Sequence, residues 1–136
     1  MNMESKDKRI YKKKKRTFID SVKNCLDGIN YTITHENNFK REMILGIIAV
    51  ILSAVLKISI LEWVIVLLLI NFVLVCELIN TALEKAVDLY TKEFNQTAKI
   101  VKDVASATVL VMSIFSAIIG AIIFIPKILV LIVLIR

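Results

Sequence analysis

A chain of 136 residues that is 57% apolar, with a mean hydropathy of +0.74 and only 3 glycines and 1 proline, carries more apolar side chain than a water-soluble domain of this size can cover. Its formal net charge of +6 is uneven, with 11 of the 18 Lys and Arg residues ahead of Met43. This length excludes more than one domain, and two isolated cysteines, Cys25 and Cys76, exclude a disulfide framework or a thiolate metal site and read as packing residues.

Residues 1–16 form a basic, flexible cytoplasmic arm ending in Lys12-Lys13-Lys14-Lys15-Arg16. Beside membrane helices such a run is read as attracted to anionic lipid headgroups rather than to nucleic acid, and no nucleic-acid partner is expected. Residues 17–136 form a single membrane-embedded domain. It opens with a surface helix over 17–35, where Phe18, Val22, Leu26, Ile29 and Ile33 recur at three- and four-residue spacing with Asp20, Lys23, Asp27 and Asn30 on the other faces. That helix is too polar to span and belongs at the cytoplasmic interface. Gly28 within it implies either a bend, a close backbone approach or a tolerated surface glycine.

A polar knot, His35-Glu36-Asn37-Asn38-Phe39-Lys40-Arg41-Glu42, precedes the first long apolar run. Lys40 and Arg41 read as membrane anchors and the lone histidine, His35, as structural. Apolar runs over about 43–60, 63–84 and 104–125 each approach the roughly 17 to 25 residues that cross a hydrocarbon core of about 30 Å, predicting three transmembrane helices. The Lys and Arg bias puts the N-terminus and the second loop in the cytoplasm. No cleavable signal peptide is expected, because about 42 polar or amphipathic residues precede the first run. Small residues at Gly46, Ala49, Ser53 and Ala54, and at Ser106, Ser113, Ser116, Ala117 and Gly120, form packing stripes on the first and third spans. After Pro126 the run over 128–135 is too short to span.

The second run ends with costly side chains. Glu77, Asn80, Glu84 and Asp88 stand at i, i+3, i+7 and i+11, within an arc of about 80° on one helix face. Ionisable groups at membrane depth are expensive and are retained for function. Glu77 and Glu84 are about 10 Å apart in rise, so they do different jobs. Glu84, nearer the cytoplasm, suits a magnesium ligand shared with a carboxylate from another segment, Glu36 or Glu42, and with nucleotide phosphates. Glu77, two turns deeper, suits a general base for a lipid hydroxyl. Lys102 and Asp103, entering the third span, add a cation for phosphate and a further acceptor. A Gly-rich phosphate loop is absent from the sequence, so metal, basic side chains and helix ends would hold a nucleotide.

At these residues, Glu77-Leu-Ile-Asn80-Thr-Ala-Leu-Glu84-Lys-Ala-Val-Asp88 and Ala98-Lys99-Ile-Val-Lys102-Asp103-Val-Ala-Ser106-Ala107, the chain resembles the prokaryotic diacylglycerol kinase family and more closely its Gram-positive undecaprenol kinase branch. Phe18, Gly28, Glu36-Asn37-Asn38-Phe39 and Glu62-Trp63 support the resemblance, which runs from about Arg16 to Pro126. It implies an all-α integral membrane homotrimer, three transmembrane helices behind an amphipathic surface helix, with sites shared between neighbouring subunits. It implies transfer of the γ-phosphoryl of ATP to a lipid alcohol with Mg2+, in the bacterial cell membrane. Carried over, Glu77 is the catalytic base, Glu36 and Glu84 are the metal carboxylates, and Asn80, Lys102 and Asp103 contact nucleotide or phosphate. Glu42 and Asp88 match further acidic positions of the family. Thr17 and Asn24 depart from it, standing where some relatives carry an aromatic or basic nucleotide contact. Undecaprenol is the expected acceptor and diacylglycerol the alternative. A holin-like or scaffolding membrane protein is the remote alternative, and it would have no use for the acidic face.

Overall fold

The computed structural model describes residues 17–135, so the basic arm over residues 1–16 lies outside the described residues. Among them the chain forms four α-helices: α1 Phe18–His35, α2 Asn37–Val55, α3 Ile60–Tyr90 and α4 Gln96–Ile135. Helix α3 packs against α4 along most of its length and against α2 on its other flank, while α1 reaches α2 and α3.

Local chemistry explains where each helix starts and stops. Thr17 caps α1, its Oγ1 accepting from the Asp20 N–H at 3.2 Å while its own N–H donates to the Asp20 carboxylate at 3.0 Å. That backbone donor holds the Asp20 carboxyl below its ordinary range. Only Glu36, in extended conformation, separates α1 from α2, so the polar knot ahead of the first apolar run is itself helical from Asn37 onward. Helix α2 ends in a left-handed cap: Lys57 has φ of 50°, its N–H reaches the Ala54 carbonyl, and the Ile58 N–H reaches Ser53. Ile58 is thereby folded inward onto Val66 and Ile123. Ser59 then caps α3 in a reciprocal pair with Glu62, so the turn spans 56–59, tighter and earlier than the apolar run to residue 60 suggested. At the other end of α3, the Asn95 side chain accepts from the Ala98 N–H at 3.0 Å and starts α4.

Pro126 does not end α4, which continues to Ile135. The adjacent Lys127 pairs with Glu62 at 3.1 Å and ties α4 to the start of α3. Membrane helices tolerate an interior proline where neighbouring groups satisfy the freed backbone.

The packing inverts that of a water-soluble bundle. Leu110, Phe115, Ile118 and Ile122 are half or more exposed, whereas the interior admits small or polar groups such as Ser53, Thr81 and Ala105. Helices α3 and α4 are long and apolar enough to cross a membrane, with only 28% and 6% of their apolar windows buried, so they are not core helices of a soluble chain. Helix α2 falls short of the same measure: its first turns carry Lys40, Arg41 and Glu42, leaving 13 residues over 43–55, about 20 Å of apolar helix. Of the three predicted spans, two thus have the required length and composition. Gly28 meets no atom within 4 Å of an added Cβ, and α1 runs through it unbroken, leaving a tolerated surface glycine of the three readings. Cys25, expected to pack, is exposed because α1 buries little beyond Thr32; Cys76 is half-buried.

One glycine is required by packing. An added Cβ at Gly46 would stand 2.9 Å from Cγ2 of Ile70, an atom close to the α3 backbone. Gly46→Ala is expected to cost about 1–3 kcal/mol through overpacking, seen as a lowered unfolding temperature in detergent. Lys57→Gly is expected to raise that temperature, because a non-glycine residue at positive φ costs about 1 kcal/mol that glycine avoids.

Candidate functional site

The acidic face of α3 begins deep in the bundle. Glu77 is 3% exposed and Asn80 5%, both turned inward with Val66, Val73 and Thr81 on one side of the helix. Burial falls off toward the end of α3, so Glu84 is half-buried and Asp88 exposed. The single helix face therefore presents a graded series from enclosed to open.

Asn80 is the connector within that series. Its Nδ2 donates to Glu84 Oε1 at 3.2 Å. Its Oδ1 faces α4, 3.4 Å from the Ser106 hydroxyl, whose single proton is shared between that amide and the Lys102 carbonyl at 3.0 Å. An amide flanked on one side by a carboxylate and on the other by a hydroxyl has one satisfactory orientation, and that orientation couples α3 to α4.

Two openings meet at this point. A cavity of about 300 Å³ is bounded by Asn38, Arg41 and Glu42 of α2, by Glu77 and Asn80 of α3, and by Ser106 of α4. Glu42, Glu84 and Glu36 are the charged neighbours of Glu77. Glu42 and Ser113 also border a larger groove of about 480 Å³, where Gly46, Ala49, Ala117 and Gly120 leave room between α2, α3 and α4. This groove is mainly apolar and continues from the polar cavity away from the charged end of the bundle. The small-residue stripes predicted as packing surfaces thus border open space along part of their length.

At the other end, a cleft of about 370 Å³ lies where α3 turns into α4, lined by Asp88, Lys92, Asn95, Lys99, Lys102 and Asp103. Lys102 pairs with Asp88 across the two helices, and Lys99 pairs with Asp103 at 2.9 Å along α4. Glu36, between α1 and α2, pairs with Lys85 of α3 at 3.1 Å. Lys85 also stands 5.8 Å over the Tyr31 ring, which stacks on His35 at 4.3 Å. His35 is accordingly structural in position, its Nδ1 beside the Tyr31 carbonyl and the Thr34 hydroxyl.

The structure brings Glu42, Glu77 and Asn80 to one cavity, Asp88, Lys102 and Asp103 to one cleft, and Glu36 to the turn of α3 that carries Glu84. It does not gather the predicted metal carboxylates into a preformed cluster: among the described residues, no group of three or more His, Cys, Asp or Glu could hold a metal ion. Three residues of the inner cavity were missed or assigned elsewhere, and so was Lys85 of α3. Arg41 was read as an anchor, Ser106 as a packing residue, and Asn38 and Lys85 had no role. The position of Lys85 beside Glu84 was the only signal in the sequence, since which acid it meets depends on α1.

Residues 23–124 match the family described as prokaryotic diacylglycerol kinase. The chain is 37% identical to an undecaprenol kinase of Bacillus subtilis over 92% of its own length and 99% of that protein's. It is 38% identical to a diacylglycerol kinase of Helicobacter pylori over 65% of this chain and 70% of that one, and 31% identical to a diacylglycerol kinase of Synechocystis over 75% and 59%. The chain belongs to the prokaryotic diacylglycerol kinase family.

The Glu36–Lys85 pair is half open to solvent, with side-chain exposures of 22% and 49%. A double-mutant cycle with Glu36→Gln and Lys85→Met, read by unfolding in detergent, is expected to give a coupling of about 0.2–1 kcal/mol that shrinks as salt is raised.

Proposed function

We propose that this member of the prokaryotic diacylglycerol kinase family transfers the γ-phosphoryl group of ATP to undecaprenol, giving undecaprenyl phosphate and ADP. The observation that carries this reading is a buried carboxylate, Glu77, lining a polar cavity that shares Glu42 and Ser113 with an apolar groove. A lipid alcohol has the same division, a single hydroxyl on a long hydrocarbon chain. Undecaprenol is favoured by the near full-length similarity to the Bacillus subtilis enzyme, and diacylglycerol remains the second reading because other relatives are named for it.

In this reading the lipid chain lies in the groove beside Gly46 and Gly120, and its hydroxyl enters the cavity at Glu77. Glu77 accepts the hydroxyl proton as the oxygen attacks the γ-phosphorus, and the bond to the bridging oxygen of ADP breaks. Phosphoryl transfer leaves little covalent work to a protein beyond positioning and charge neutralisation. Lys102, Lys99 and Lys92 line the outer cleft and balance phosphate charge, while Asn80 and Asp103 add polar contacts. Asp88 holds Lys102 until phosphate competes for it, and Glu42 closes the inner cavity.

The donor set suits Mg2+, which takes oxygen ligands and is commonly bound through one or two carboxylates together with substrate phosphates. Glu84, already oriented by Asn80, and Glu36, brought to α3 by its pair with Lys85, would hold it; when bound it would neutralise phosphate charge. Glu36 leaves Lys85 to do so.

The same reading places the protein in the bacterial cell membrane as a homotrimer with sites shared between subunits. The N-terminus is cytoplasmic, α1 lies at the interface, and α2 completes three spans with Lys40 and Arg41 at the headgroups. The exposed apolar stripe of α1, including Phe18, Leu26 and Ile29, supports that placement.

Membranes containing the protein, supplied with labelled ATP and either lipid, are expected to label undecaprenol in preference to diacylglycerol; labelling of neither lipid defeats the kinase reading. Glu77→Gln is expected to lower turnover at least about 100-fold while nucleotide still binds, the usual scale for a lost general base. Glu84→Gln is expected to weaken magnesium-nucleotide binding instead.

A further inference from the structure

Lys85 pairs with Glu36 at 3.1 Å, and Glu36 is a carboxylate that the proposed chemistry calls away to magnesium. The ammonium then loses its counter-charge while sitting next in sequence to Glu84, the other carboxylate assigned to that ion. Like charges brought to one site repel unless a further anion joins them. The partner that Lys85 takes next is therefore part of how the site works.

Its position says which partner that is. On one side Lys85 meets Glu36. Along α3 it is also a charged neighbour of Asp88, about 4.5 Å further in rise, which lines the outer cleft and pairs with Lys102. Lys85 thus stands between the carboxylates suited to a metal and the lysines suited to phosphate. Its side chain is 49% exposed, so the ammonium is open to a ligand arriving from solvent. The Tyr31 ring lies 5.8 Å from it, and that ring is braced by stacking on His35 with planes 13° apart. An aromatic face attracts a cation and asks for no exchange of protons or hydrogen-bond acceptors, so it holds the ammonium in this neighbourhood when Glu36 departs.

We propose that Lys85 is a phosphate-binding residue for the nucleoside triphosphate: it holds Glu36 in the empty site and exchanges that carboxylate for the polyphosphate when Glu36 turns to the metal. The inference rests on the kinase reading and adds to it a binding residue and an exchange of partners. Carboxylate and phosphate oxygens both accept charge-assisted hydrogen bonds from an ammonium, so one replaces the other in kind. The exchange also makes binding conditional. Magnesium alone draws Glu36 off and leaves Lys85 bare, and nucleotide alone draws Lys85 off and leaves Glu36 bare. Only the two together satisfy both side chains, which couples the affinity for each to the presence of the other.

The test uses the full chain in lipid nanodiscs. Acetylation of Lys85 in the wild-type protein is followed by mass spectrometry with Mg2+ alone and with Mg2+ plus a non-hydrolysable ATP analogue. Lys85 is expected to react several-fold more slowly in the presence of the analogue, because a phosphate-bound ammonium is withdrawn from the reagent. Lys85→Met is expected to weaken equilibrium binding of the analogue by about tenfold or more, the scale of one hydrogen bond to a charged group, with the loss falling on KM for ATP more than on kcat. Lys85→Arg, which keeps the charge, is expected to retain most of the binding. A lysine that serves only to hold Glu36 gives the opposite result, since Lys85→Met then frees Glu36 and leaves binding unchanged or tighter. That result, or equal acetylation with and without the analogue, in a protein that still phosphorylates lipid overturns the role of Lys85 and leaves the kinase reading standing. The acetylation arm needs no variant, so misfolding of Lys85→Met does not shelter the inference. A protein that binds no analogue and labels neither undecaprenol nor diacylglycerol overturns both.

Discussion

Hydrocarbon offers no water to a carboxyl or amide group, and the polar stripe of α3 has to be housed by the protein itself. The depth of each group along α3 sets how it is housed. Glu77 and Asn80 are enclosed by α2 and α4, Glu84 is held by Asn80, and Asp88 reaches a lysine on α4. The rest of the fold follows from that requirement. The cap at Ser59 starts α3, the reversal at Lys57 brings α2 back along it, and Asn95 launches α4 along its other flank.

Enclosing polar groups in a membrane calls for close helix approach, which water does not drive there. Gly46 lets α2 come against Ile70, and Ser53 donates to the Ala49 carbonyl and so needs no partner on another helix. The same small side chains leave a groove where they do not meet large neighbours. Large side chains such as Phe115 and Ile122 turn outward, where lipid accepts them at no cost. One set of residue choices thus serves both helix packing and a space for an apolar chain.

Charge pairing organises the polar end. Lys85 fastens Glu36 to α3, Lys102 fastens Asp88 to α4, and Lys99 fastens Asp103 within α4. These pairs are partly exposed and contribute little to stability. Their consequence is that the charged side chains at this end are already neutralised by one another. In the proposed reading, a phosphorylated ligand with its cation exchanges those contacts without leaving a bare charge behind.

Sequence alone determined what depends on periodicity and on cost. The helical period exposes the Glu77, Asn80, Glu84 and Asp88 face, the amphipathic spacing gives α1 nearly to the residue, and apolar runs mark α3 and α4, because these signals are local. The same locality misplaced other features. The third apolar run was closed near residue 125 although α4 continues through Pro126 to Ile135, the polar knot read as a boundary ahead of the first span although α2 begins inside it, and Arg41 and Ser106 looked like an anchor and a packing residue. Only the tertiary structure decided that Glu36 meets Lys85, that Ser106 completes the setting of Asn80, and that small residues border a groove joined to the Glu77 cavity. Each of these depends on the relative placement of helices far apart in sequence, which periodicity within a single helix does not encode.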